Sequence, residues 1–202
     1  MAAQIPPAEA PEWVAAQLAG LGGTRWIGID GFGAAGKTTV AAAIAARVPG
    51  SVVVHVDDFG RVGVRGWDRD LFVDQVLDPL LAGRPGRYQT WDLVADCPLE
   101  WVEVPAGRPV VVEGVSATDE RVPVPWDLTL WVATPAALRR RRILAREEPE
   151  LLERWRDDWI PSERAYGAEQ RPWVRVDAIV ATTRSCLGRE AESGRPTPGR
   201  VR

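Results

Sequence analysis

The sequence predicts an α/β three-layer sandwich on a five-stranded parallel sheet with a helical lid, and three observations predict it. Five short apolar runs rich in β-branched residues recur along the 202 residues, each of a length that suits a strand buried on both faces. Segments with apolar residues at helical spacing separate them, as parallel strands joined by right-handed crossovers require. A glycine-rich stretch joins the first of these strands to the helix after it, at the end of the sheet where open α/β folds bind ligands.

Residues 1–23 read as an N-terminal arm and helix. Pro6, Pro7, Glu9 and Pro11 make the start a loose arm, and Trp13, Val14, Leu18 and Leu21 give 12–21 an amphipathic helical spacing that stops at Gly22-Gly23. The main domain, 24–183, opens with strand 25–30 (RWIGID), the glycine-rich turn, and helix 37–48 with Val40, Ile44 and Val48 on one face. Strand 51–56 (SVVVHV) ends at Asp57-Asp58-Phe59-Gly60. A helix over 68–77 follows, and Asp78-Pro79 reads as a second helix start, closed by Gly83. Segments 88–93 and 101–104 pair as a small antiparallel ribbon with Asp96, Cys97 and Pro98 at its turn. Strands 109–113 (PVVVE) and 127–133 (DLTLWVA) precede a helix over 135–146. A second helical stretch, 150–170, is broken near Pro161, and strand 176–180 (VDAIV) closes the sheet. The lid spans about 138–160. Residues 184–202, rich in Gly, Pro, Ser and Arg, read as a disordered tail.

With 25 basic and 28 acidic side chains the net charge is −3, which gives no overall attraction to nucleic acid. No run of 18 apolar residues could cross a bilayer, and two cysteines are too few for a disulfide framework. The N-terminus lacks the basic start and apolar stretch of a secretion signal, so the expectation is a cytoplasmic protein whose partner is a small molecule, with neither nucleic acid nor membrane. The chain has 24 arginines and one lysine, Lys37. A compact ammonium fits between phosphates where a planar guanidinium does not, so the one lysine marks a candidate phosphate site, the alternative being chance usage.

That lysine lies in Gly31-Phe-Gly-Ala-Ala-Gly36-Lys37-Thr38, which matches G-x-x-x-x-G-K-[ST] at every fixed position. A phosphate sits inside such a loop when successive backbone N–H groups point inward, which calls for residues without bulk and with positive φ. Gly31, Gly33, Ala34, Ala35 and Gly36 form the cradle, Lys37 reaches the β and γ phosphates, and Thr38, with Thr39 beside it, supplies a hydroxyl for Mg²⁺. The cofactors expected are ATP and Mg²⁺.

Three carboxylates end strands at the same side of the sheet. Asp57 is the candidate general base, placed to accept the proton of an acceptor hydroxyl; the alternative is a turn or helix cap, with Asp58 as competitor pointing the other way. Glu113 follows Val110-Val111-Val112, where a Mg²⁺ ligand or an arginine partner belongs. Asp30 reads as a brace for the loop backbone, and His55 as a packed or hydrogen-bonded neighbour. Residues 138–146 carry five arginines, of which Arg139, Arg142 and Arg146 share one helical face. That face suits a lid closing over a transferring phosphoryl group, the alternatives being a solvated face or a nucleic-acid patch. Glu147 and Glu148 mark a hinge or turn toward Pro149.

The ordered set IDGFGAAGKT, HVDDF, YQTWDL, VVVEGV and LRRRRILARE over 24–183 resembles the uridine kinase-like branch of the P-loop nucleoside kinases, especially its short bacterial members. The resemblance implies a sheet in the order 2-3-1-4-5, counting the predicted strands. It implies Asp57 as a base that also touches Mg²⁺, Glu113 at the metal, and Arg139, Arg142 and Arg146 in the lid. It implies an acceptor pocket from the loop after Asp57, with Phe59 and Arg61, and the segment around Tyr88, Trp91 and Asp92. Phe59, Trp67, Tyr88 and Trp91 are the aromatics able to stack on a base or to serve the core. The chain departs from those kinases at Gly60, where they carry a tyrosine, at Trp91, and in having no histidine near that segment. The activity implied is transfer of the γ-phosphate of ATP to a nucleoside 5′-hydroxyl. A non-nucleoside alcohol, an antibiotic or a sugar, or a nucleotide-binding regulatory role are the other readings the residues leave open.

Overall fold

The computed structural model describes residues 2–61, 64, 66–92 and 95–181, with the side chain of Glu150 outside the description. The tail expected over 184–202, residues 182–183, Leu93 and Cys186 also lie outside the described residues.

In chain order the strands and helices are β1 (Ala3–Ile5), α1 (Ala10–Leu18), β2 (Arg25–Asp30), α2 (Lys37–Arg47) and β3 (Val52–His55), then α3 (Arg69–Phe72), α4 (Asp78–Leu81), β4 (Gly86–Asp92), β5 (Cys97–Val104) and β6 (Pro109–Glu113). They end with β7 (Leu128–Ala133), α5 (Ala136–Arg146), α6 (Pro149–Arg154), α7 (Ile160–Gln170) and β8 (Ala178–Ala181). The β-branched runs pair in parallel in the order β3-β6-β2-β7-β8-β1. Five of these follow the expected 2-3-1-4-5 order, and the sheet has six strands rather than five. The sixth is β1, in the segment expected to be a loose arm. Ala3 N–H donates to Asp177 O at 2.8 Å, and Ile5 is buried. Three residues beside Pro6-Pro7 are too short to show a period, so only pairing with β8 reveals the strand.

Helices cover both faces. Ile27 and Ile29 of β2, Val111 of β6 and Leu130 of β7 pack against α1 and α2 on one side. There α2 buries Val40, Ala41 and Ile44, at about 1.5–3 kcal/mol for each larger aliphatic side chain. On the other side Val54, Val110 and Val112 meet Phe59, Phe72 and Leu80. The antiparallel ribbon β4–β5 closes that layer through Tyr88 and Val104. Trp131 of β7, fully buried, meets Phe32 and Trp173 edge-on at 5.1 and 5.4 Å.

Two prolines that suggested breaks leave their helices continuous. Asp78-Pro79 was expected to start a new helix, yet Leu77 and Asp78 both keep right-handed helical backbone. Proline lacks the N–H of its turn and its ring collides with a carbonyl of the turn before. The chain accommodates both by widening into a π turn over Val73–Leu77 between α3 and α4. The same device recurs before Pro161, where a π turn over Trp155–Trp159 joins α6 to α7, so this stretch is also unbroken. The start of the first of these helices is the one expected: Asp68 accepts the Leu71 N–H at 3.0 Å as its N-cap. Glu147 and Glu148 are extended and separate α5 from α6.

Candidate active site

The carboxyl ends of β2, β3 and β6 converge on one cleft of about 1030 Å³. At the end of β2, Asp30 is fully buried. It accepts hydrogen bonds from the backbone N–H groups of Gly31, Ser116 and Thr118, the Thr118 hydroxyl, and the Tyr166 hydroxyl at 2.6 Å. Burial raises its pKa against these donors. Asp30 therefore ties the start of the loop to the 114–118 segment and to α7, and it does not line the cleft.

The loop itself turns through left-handed backbone at Ala34 (φ +58) and Gly36 (φ +103). Several of its carbonyls are taken from outside: Arg142 Nη1 donates to Ala34 O and Ala35 O at 3.0 Å each, the Thr134 hydroxyl to Ala35 O at 2.8 Å, and Arg139 Nη1 to Gly33 O at 3.2 Å. The first N–H groups of α2 have no intrahelical partner, and the residues that carry them, Lys37, Thr38 and Thr39, line the cleft. Lys37 is buried, and its Nζ donates to Phe32 O at 3.2 Å.

Across the loop lies a polar trio. Thr38 Oγ1 donates to Glu113 Oε1 at 2.9 Å, and His55 Nδ1 meets the same oxygen at 2.6 Å. Burial raises the Glu113 carboxyl, but the His55 and Thr38 hydrogen bonds and the Lys37 charge outweigh it and hold it below the ordinary value. The Glu113 hydrogen bond in turn raises His55. Asp57, on the single 3-10 turn after β3, opens onto the cleft. The crowding cleft walls raise its pKa, Lys37 opposes that, and Glu113 adds to it. Asp58 turns the other way and accepts from the Tyr88 hydroxyl at 3.0 Å.

Among the described residues no three His, Cys, Asp or Glu side chains form a ready-made metal cluster. Mg²⁺ does not need one: it is held by one or two carboxylates together with substrate phosphates and water. The Thr38 hydroxyl hydrogen-bonded to Glu113, with Asp57 opening onto the same cleft, fits that donor set.

The three arginines of one face of α5 all turn toward the loop, each differently. Arg139 pairs with Glu163 at 2.8 Å and lies 4.9 Å over the Phe32 ring. Arg142 grips the loop carbonyls, and Arg146 lines the cleft while pairing with Glu147.

The ribbon side is different. Phe59 is fully buried core and Tyr88 is held by Asp58. Trp91 donates to Asp96 at 3.0 Å under the Arg61 guanidinium, 4.4 Å from its ring, and Asp92 accepts the Ala95 N–H at 2.9 Å. None of these five, Arg61 included, lines the cleft. Its far end is formed instead by Trp67, Arg69, Ser116 and Arg121. Trp67 Nε1 donates to Ser116 Oγ at 3.0 Å. Arg69 and Arg121 both clasp Asp119, which also accepts from Gln170 Nε2 at 2.8 Å. Sequence reasoning named Trp67 but missed Arg69, Ser116, Asp119 and Arg121. The last three sit in an irregular connection, 114–127, with no period or motif to mark them.

No family model matches the sequence, and no curated protein matches it. Solved structures do match in fold. A possible uridine kinase from Bacillus stearothermophilus superposes with a TM-score of 0.65 at 17% identity, covering 86% of this chain and 98% of that one. A provisionally assigned fructose transport system kinase from Silicibacter sp. TM1040 gives a TM-score of 0.64 at 19% identity, covering 81% and 95%. The chain thus shares the α/β fold of these two structures, with a six-stranded parallel sheet. Among the described residues no helix is long and apolar enough to cross a membrane.

Proposed function

We propose that the protein is an ATP-dependent phosphotransferase that moves the γ-phosphate to the hydroxyl of a small molecule, a nucleoside or modified nucleoside 5′-hydroxyl being the first reading. The observation that carries it is the meeting of Lys37, Thr38, Asp57 and Glu113 in one cleft over the glycine-rich loop. In this reading the loop N–H groups and Lys37 hold the β and γ phosphates. Thr38, Glu113 and Asp57 would hold Mg²⁺, whose charge would offset that on the phosphates. Asp57 aligns the acceptor hydroxyl and takes its proton as the oxygen bonds to the γ-phosphorus and ADP leaves. Burial raises the Asp57 carboxyl from its ordinary value, in the direction that favours accepting a proton. Arg146 reaches the cleft from the lid, where a guanidinium spreads charge on the moving group.

A second reading keeps this chemistry and makes the acceptor a sugar or another non-nucleoside alcohol. The position of Tyr88 and Trp91 outside the cleft, and of Arg69, Ser116 and Arg121 inside it, favours this reading. The experiment is ADP formation from Mg²⁺-ATP against a mixed panel of nucleosides and sugars, with Lys37→Ala as blank. Acceptor-dependent ADP absent in the variant supports the proposal and names the acceptor class. ATP binding with no ADP from any acceptor supports a regulatory nucleotide-binding role instead.

A further inference from the structure

At the tip of the loop, a place that in this reading belongs to phosphate, there is already an anion. Glu163 of α7 is buried, with 3% of its surface exposed. Its Oε2 accepts the Gly33 N–H at 2.6 Å and its Oε1 accepts Arg139 Nη1 at 2.8 Å. The same Arg139 nitrogen reaches Gly33 O, so carboxylate and guanidinium together hold both polar groups of one glycine. Only glycine allows this approach, because a Cβ at position 33 would collide with the Trp155 ring and crowd Glu163. Arg139 is left incompletely satisfied: its Nε, a donor and never an acceptor, is buried without a hydrogen-bond partner among the described residues. A carboxylate offers two oxygens to this cluster, whereas a terminal phosphate offers three and more charge. Two anions a few ångströms apart repel, so Glu163 and a terminal phosphate exclude one another at the Gly33 N–H.

We propose that Glu163 is an internal occupant of the loop tip that the terminal phosphate of the nucleotide must displace, taking over the Gly33 N–H and Arg139. Nucleotide occupancy then releases α7 from the loop and frees Arg139 for the phosphoryl group. The inference rests on the reading of residues 31–38 as a nucleotide cradle. Its rival is that Glu163 is a brace that holds the loop in its binding shape, and the two give opposite signs.

The test is calorimetric titration of the full chain with Mg²⁺-ATP and Mg²⁺-ADP, for the parent, Glu163→Gln, Glu163→Asp and Lys37→Ala. Displacement predicts that Glu163→Gln binds Mg²⁺-ATP about tenfold tighter, with a smaller gain for Mg²⁺-ADP, which lacks the terminal phosphate. Glu163→Asp keeps the charge but withdraws it from Gly33, and it is expected to tighten ATP binding by about threefold; it decides the matter if the glutamine variant does not unfold cooperatively. Parent binding that Lys37→Ala abolishes, together with unchanged or weaker binding in the Glu163 variants, would overturn displacement and leave the cradle standing. Absence of nucleotide binding in both the parent and the Glu163 variants would overturn both.

Discussion

The loop end of the cleft and the β4–β5 ribbon were equally prominent in the sequence, and the molecule uses them in opposite ways. At the loop end the residues that the motifs mark share one cleft: Lys37, Asp57 and Glu113 all line it, even where they also bond to neighbours. On the ribbon the flagged residues satisfy each other or the core, with Tyr88 spent on Asp58 and Trp91 on Asp96 and Arg61. The difference follows from backbone geometry. A glycine-rich turn between a buried strand and a helix N-terminus can adopt the positive φ that turns successive N–H groups inward, so the spacing of glycines, lysine and threonine carries its use. Aromatics on a half-buried ribbon serve equally as core, as platform, or as partner to a nearby arginine, and spacing alone does not choose among those uses.

The largest expected effect that separates the two ends is at Asp57. Asp57→Asn should lower kcat by about 10²–10⁴-fold, while Mg²⁺-ATP affinity stays within about threefold; rapid-quench turnover beside calorimetry checks this. Retained turnover would remove Asp57 as the base. At the far end of the cleft, Asp119→Asn takes the carboxylate from two partly exposed arginines and should cost about 1–3 kcal/mol of stability, seen in urea unfolding. The pH dependence of this carboxylate has a definite sign. Burial raises it, but the bonds from Arg121 and Gln170 and the charge of Arg69 outweigh that and hold it below its ordinary value of 3.8. Its contribution is thus complete above pH 3.8 and is lost as pH falls below that. Acid-unfolding curves of parent and Asp119→Asn should therefore converge at low pH, and parallel curves would contradict the assignment. The smallest effect is on the ribbon, where Trp91→Ala should change kcat/KM by less than about threefold. A loss of a hundredfold there would place the acceptor against the ribbon and undo the contrast.

Much of this architecture was legible because it is local. The strand order followed the expected one over five strands, and the strand at 109–113 matched residue for residue, since a β-branched run with an acidic tip has little else to be. What escaped was whatever depends on distant partners. Strand β1 shows itself only through β8, and the helices at Pro79 and Pro161 stay whole because a π turn, which no propensity signals, absorbs the missing N–H. Glu163 and Asp119 are a helix glutamate and a loop aspartate in sequence. Their roles come from Gly33, 130 residues before one of them, and from Arg69, 50 residues before the other.

The proposed chemistry requires a nucleotide in the loop of residues 31–38, and the composition offers a direct test of it. Lys37 is the one lysine of the chain, so a lysine-reactive ATP analogue followed by peptide mapping has two amines to find, Lys37 and the α-amine. Lys37 is expected to be modified, and excess Mg²⁺-ATP is expected to protect it. Modification that Mg²⁺-ATP leaves unchanged, or modification confined to the α-amine, would contradict the proposed chemistry.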